Sequence, residues 1–127
     1  AVYLIRVMKE SICMMKDVLM AFNEFEKSLI QAHSLSLNEA MVLCLLGECE
    51  KEPGRLSASA IAEKTGFSAS HTSKVLRSAE SRKWIIRSLC SEDRRKMYFE
   101  LTPEGQKKLW QIKNTPVEIP ALLKKLF

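Results

Sequence analysis

Apolar side chains recur at Ile5, Met8, Ile12, Met15, Leu19, Phe22 and Leu29, with Glu26 interrupting the series. The steps alternate three and four residues, the spacing that lines one face of a helix, and predict one long helix over Val2–Ala32. Val18 and Phe25 widen the stripe. A helix this long at the end of a small chain carries more apolar surface than one domain covers. Part of the stripe is expected to pack on the chain's own core and the rest against another subunit.

The next segment, "SLNEAMVLCLLGE", opens with Ser36 and Glu39 in capping-box spacing. Ala40, Leu43 and Leu46 or Gly47 share a side, with Met41, Val42, Leu45 and Cys49 close by, which predicts a mostly buried helix. Cys44 and Cys49 read as core atoms. Pro53-Gly54 marks a turn. In "LSASAIAEKTGFSASHTSKVLRSAESRKW", Ser57 can cap a short helix to about Thr65, Gly66 can end it, and Ser68 can start another. Two helices joined by a short glycine-containing turn form a helix-turn-helix. Ala58, Ile61, Ala62, Phe67, Thr72, Val75, Leu76 and Ala79 supply its apolar side. Ala69, Ser70, Ser73, Lys74 and Arg77 remain outside on the second helix.

"WIIRSL" and "KMYFEL" then read as a β-hairpin over 85–101 with a charged tip between them. Thr102 caps the following helix and Pro103 takes its first position, with Glu104 as a favourable first-turn acid. Leu109 and Ile112, with Trp110 as a further candidate, form that helix's apolar side. Pro116 and Pro120 break the chain before "ALLKKLF", a last amphipathic turn or two.

The 127 residues suit one domain, and 46% apolar with 28% charged residues is an ordinary globular balance. No apolar run approaches the ~18 residues of a membrane span, and no signal peptide is read near Ala1. A cytoplasmic location with reduced thiols is expected. Cys13, Cys44, Cys49 and Cys90 form no C-x-x-C pair, and His33 and His71 stand apart, so neither zinc nor another cofactor is expected. Charge is uneven. Arg55–Phe99 holds ten Lys/Arg against four acids, whereas the rest of the chain holds ten against eleven. A charge run alone suits any solvated face; here it coincides with the helix-turn-helix and hairpin.

The element order is that of a mainly α protein with a small β-hairpin: a winged helix-turn-helix flanked by N- and C-terminal helices. Such a module lays its second helix in the DNA major groove and reaches sideways with the hairpin tip. Ser68, Ser70, His71 and Ser73 can face bases or phosphates, though an exposed His71 without a role fits equally. Lys74 and Arg77, with Arg82 and Lys83, can hold phosphates. Arg94, Arg95 and Lys96 are the wing's contribution, arginine suiting a narrow, negative minor groove.

Leu35–Lys113 resembles the multiple-antibiotic-resistance regulator (MarR) family of bacterial transcription factors. The resemblance lies in "LSLNEAMVLCLL", the helix-turn-helix and, above all, "EDRRKMYFELTPEG". The last piece fits a wing pattern of Asp, any residue, Arg, a strand and Leu-Thr-x-x-Gly, here Asp93, Arg95, Leu101, Thr102 and Gly105. The resemblance implies a homodimer on a pseudo-palindromic double-stranded operator, with Arg95 in the minor groove and Asp93 orienting the wing. It also implies release by a small, often aromatic, effector. Phe22, His33 and Trp84, with Trp110, are candidates to line the effector pocket, although aromatics at helical spacing also make ordinary core. Cys13 is a candidate redox switch. Relatives usually carry Gly where this chain has Lys83, and a longer helix after Asn114.

Three segments follow: 1–34 as a dimerisation helix, 35–102 as the DNA-binding lobe and 103–127 as helices completing the dimer. No catalytic constellation stands out. The expected function is a dimeric, sequence-specific transcriptional repressor. The alternatives are a winged-helix protein-interaction module without DNA binding and a repressor that takes no ligand.

Overall fold

The computed structural model describes residues 2–48, 54–89 and 97–127. Its elements are α1 (Val2–His33), α2 (Leu37–Glu48), β1 (Leu56–Ser57), α3 (Ala58–Thr65), α4 (Ala69–Ser81), β2 (Ile85–Leu89), β3 (Met97–Leu101), α5 (Pro103–Asn114) and α6 (Ala121–Lys124). They divide into two compact units, Leu35–Pro116 and Ala1–Ser34 with Val117–Phe127.

In the second of these units, α1 runs one residue past the predicted end and α6 packs on it. Ala21 and Leu29 are buried, and Val18 and Phe25 are half-buried. Of the rest of the stripe, Ile5, Met8, Ile12, Met15 and Leu19 are 58–68% exposed and Phe22 is 40% exposed.

In the unit Leu35–Pro116, α2 is the central post, touching α3, α4, α5 and β3. Val42, Leu43 and Leu46 from α2, Ile61 from α3 and Leu76 and Ala79 from α4 are each at most 2% exposed. The capping box forms: Ser36 N–H donates to Glu39 Oε1 at 2.9 Å, and Glu39 N–H to Ser36 Oγ at 3.1 Å. Ser57 caps α3 and Ser68 caps α4 through their hydroxyls. Gly66 leaves α3 in the left-handed region, φ 79°. Thr65 tightens the turn, its hydroxyl donating to Ile61 O at 2.7 Å and accepting from Phe67 N–H at 3.3 Å.

The sheet is antiparallel in the order β1-β3-β2. Ile85 faces Leu101 and Leu89 faces Met97, the hairpin expected from the sequence. β1, which pairs Leu56 with Phe99, was not expected; its two residues are too few to show alternation, and they become a strand only because β3 offers a free edge. Trp110 is a correction too. At 64% exposed it lies outside the apolar side of α5, which Leu109 supplies with Ile112 half-buried. Cys44 is half-buried, and burial pushes its thiol up despite the opposing charge of Lys113; Cys49 lies outside the described residues.

The exit of α4 shows how Lys83 replaces a glycine. Lys83 takes φ 63°, its N–H donates to Glu80 O at 2.9 Å, and Trp84 N–H donates to Ala79 O at 3.1 Å. This is the Schellman arrangement with a lysine where glycine is usual. A left-handed residue with a Cβ costs about 1–2 kcal/mol, partly offset by the greater freedom a glycine has in the unfolded chain. Lys83→Gly is therefore expected to stabilise the protein by about 0.5–1 kcal/mol, seen as a melting temperature a few degrees higher by circular dichroism.

Candidate nucleic-acid interface

Helix α4 has two characters around its circumference. Residues at 100° per step place His71, Val75, Ser78 and Arg82 on one stripe, with buried Thr72, Leu76 and Ala79 beside it. Ser70, Ser73, Lys74 and Arg77 occupy the arc opposite those buried residues and are all exposed. Arg77 Nε donates to Ser73 O at 3.3 Å, which lays the guanidinium along the helix surface. Exposed Ser68 and Ala69 leave the N-terminus of α4 open. The free arc therefore offers short hydroxyls and backbone N–H groups first, then two cations a turn further on, a sequence of groups that suits an anion close to the helix.

Other side chains of this region, His71 and Arg82 among the predicted ones, are held by the chain itself. His71 is half-buried: its Nε2 is hydrogen-bonded to Asn38 Nδ2 at 2.8 Å, and its ring meets Phe67 edge to face at 4.8 Å. Arg82 lies 3.5 Å from the buried Glu39 carboxylate and over the Trp84 ring at 4.8 Å. Arg87 hydrogen-bonds Glu80 through Nε at 2.7 Å, which raises its already high pKa, and covers Phe99 at 5.5 Å. Trp84 is half-buried with Lys108 5.4 Å from its ring centre. Burial, with repulsion from Arg82 second, holds the Lys108 ammonium below its ordinary value. Lys83 is exposed. Asp93, Arg94, Arg95 and Lys96 lie outside the described residues.

Beside the free arc, a cleft of about 370 Å³ opens between α4 and the sheet, with Ser73, Arg77 and Arg87 around Leu76, Met97 and Phe99. Among the effector and redox candidates, Phe22 is exposed and His33 buried on α1, Trp84 belongs to the other unit, and Cys13 is exposed. No group of three or more metal-ligating side chains occurs among the described residues. No single helix among them is long and apolar enough to cross a membrane.

Sequence reasoning missed the roles of Asn38, Ser78 and the second oxygen of Glu39. Capping-box spacing singles out Glu39, but nothing local announces its partner on α4, 39 residues away.

Residues 35–96 match the model of the MarR family. A comparison with curated proteins gives no match. Among solved structures, AbsC, a MarR family transcriptional regulator from Streptomyces coelicolor, is 25% identical with a TM-score of 0.71, over 91% of this chain and 76% of that one. MepR of S. aureus bound to DNA is 20% identical with a TM-score of 0.72, over 82% and 74%. BpsR of Bordetella bronchiseptica, whose DNA binding is regulated by 6-hydroxynicotinic acid, is 20% identical with a TM-score of 0.69, over 84% and 76%.

Proposed function

We propose, from the premise that this chain belongs to the MarR family through its winged-helix region over residues 35–96, that it binds double-stranded DNA as a homodimer and represses transcription. The observation that carries this reading is the free arc of α4, where Ser70, Ser73, Lys74 and Arg77 stand exposed while Thr72, Leu76 and Ala79 on the other side are buried. In the bound state α4 lies in the major groove, its serines near base edges and Lys74 and Arg77 on phosphates. The wing lies alongside, with Arg95 in the minor groove oriented by Asp93 and with Arg94 and Lys96 on the backbone. Residues 35–102 form the reading lobe, and 1–34 with 103–127 bring two lobes onto a pseudo-palindromic operator. The DNA-bound MepR structure supports this use of the fold. BpsR supports release by a small aromatic molecule as the regulatory step.

Counterion release gives a direct test. Affinity for an operator selected from random duplexes should fall by about 10³-fold or more between 50 and 200 mM salt, since each subunit neutralises several phosphates. Lys74→Ala with Arg77→Ala should lower the slope of log affinity against log salt by roughly two per subunit, without a change in melting temperature. Fluorescence anisotropy reads both. A flat salt dependence, or failure to recover any DNA sequence, would remove DNA binding from the account.

A further inference from the structure

The two residues at the start of α2 hold α4 at both ends. Asn38 is hydrogen-bonded to His71 at 2.8 Å, in the first turn of α4. Glu39, its neighbour, is 4% exposed and divides its oxygens. Oε1 accepts from Ser36 N–H at 2.9 Å, closing the cap of its own helix. Oε2 points across to α4, accepting from the Ser78 hydroxyl at 2.8 Å with Arg82 Nε at 3.5 Å. His71 and Ser78 are two turns apart, about 10 Å along the axis. Val75, buried, lies between them on the same stripe.

A helix held only by apolar packing can roll or slide by a fraction of an ångström at small cost, because dispersion contacts have little direction. Hydrogen bonds lose strength steeply with misalignment. Two such ties at separated points fix both rotation about the axis and shift along it. They act on one side of a rigid helix, so any roll that their loss permits turns Ser70 and Ser73 through the same angle. Base edges are read by short side chains that cannot follow a displaced helix, whereas Lys74 and Arg77 reach phosphates on long, flexible stems. Burying a carboxylate is costly unless every lone pair finds a partner. Capping α2 accounts for one oxygen of Glu39; the second is spent on α4.

We propose that Asn38 and Glu39 are positioning residues for sequence reading, setting the register of α4 through His71, Ser78 and Arg82. The inference rests on the DNA-binding reading above. Its test compares, in the full chain, affinity for the selected operator with affinity for an unrelated duplex of equal length. The ratio cancels any loss of folded protein, which weakens both alike. Ser78→Ala should lower the ratio by roughly 3- to 30-fold, almost entirely through the operator, with the salt slope on unrelated DNA unchanged. Asn38→Ala, which cuts the tie at the other end, should act in the same direction. Ser36→Ala removes only the cap of α2 and should lower the melting temperature while leaving the ratio unchanged. If Ser78→Ala and Asn38→Ala keep the wild-type ratio, or Ser36→Ala lowers it as much as they do, the two ties are merely structural and the inference fails alone. If the wild-type chain itself prefers no duplex, the DNA-binding reading fails and takes the inference with it.

Discussion

Gly105→Ala is expected to destabilise the protein by about 3 kcal/mol or more, lowering its melting temperature by about 10 °C or more. The site explains why. The Thr102 hydroxyl donates to Lys83 O at 2.6 Å and accepts from Gly105 N–H at 2.9 Å, while Thr102 N–H donates to Trp84 O at 3.0 Å. The exit of α4, the end of β3 and the start of α5 are thereby tied at one point. The closure brings the Trp84 carbonyl against the Cα of Gly105, where a Cβ would overlap the oxygen. That neighbour is backbone and already hydrogen-bonded, so it cannot step aside as a side-chain end would. Gly66→Ala is the control. Gly66 has φ 79° and open space around its Cα, so alanine there meets only the left-handed strain of about 1–2 kcal/mol. Thermal melts of the two variants separate the causes. Equal losses, or a tolerated Gly105→Ala, would mean that the junction is not closed by this approach.

Much of this was legible in the sequence, and the legible part is local. Ser36 with Glu39, Ser57, Ser68 and Thr102 announce their helices because a cap is completed within three residues. The Leu-Thr-x-x-Gly piece marks the junction just described, although sequence alone does not reveal what Gly105 approaches. The free arc of α4 is what remains once the apolar periodicity is subtracted. What stayed hidden depends on distant partners. β1 exists because of β3, and the Glu39–Ser78 link spans two helices far apart in the chain. A count of charges treats Arg82 and Arg87 like Lys74 and Arg77, but Glu39 and Glu80 engage the first two. Trp110 was a candidate for the apolar side of α5, yet that helix is covered along one narrow stripe and the indole falls beyond it.

For the homodimer proposed above, Ile12→Glu is expected to leave the protein monomeric at micromolar concentration and, with that, to weaken operator binding by about 10²- to 10⁴-fold. Ile12 sits at the middle of the run from Ile5 to Leu19, in which every stripe position is more than half exposed. Contiguous apolar surface of that length on a helix marks an interface, because soluble proteins rarely leave it in water. A twofold interface buries each substituted position twice, so one glutamate per chain places two charges in the same apolar seam. A carboxylate buried without a partner costs several kcal/mol, enough to dissociate a dimer that this stripe holds. The change lies outside the compact unit Leu35–Pro116, whose fold is expected to be unaltered. A monomer can still meet a half-site, with the salt dependence of one subunit, but it loses the second lobe's local concentration. Sedimentation velocity reads the assembly and anisotropy reads the affinity. A variant that remains dimeric would move the interface away from α1. A monomeric variant that binds the full operator as tightly as the parent would show that two-fold reading contributes nothing.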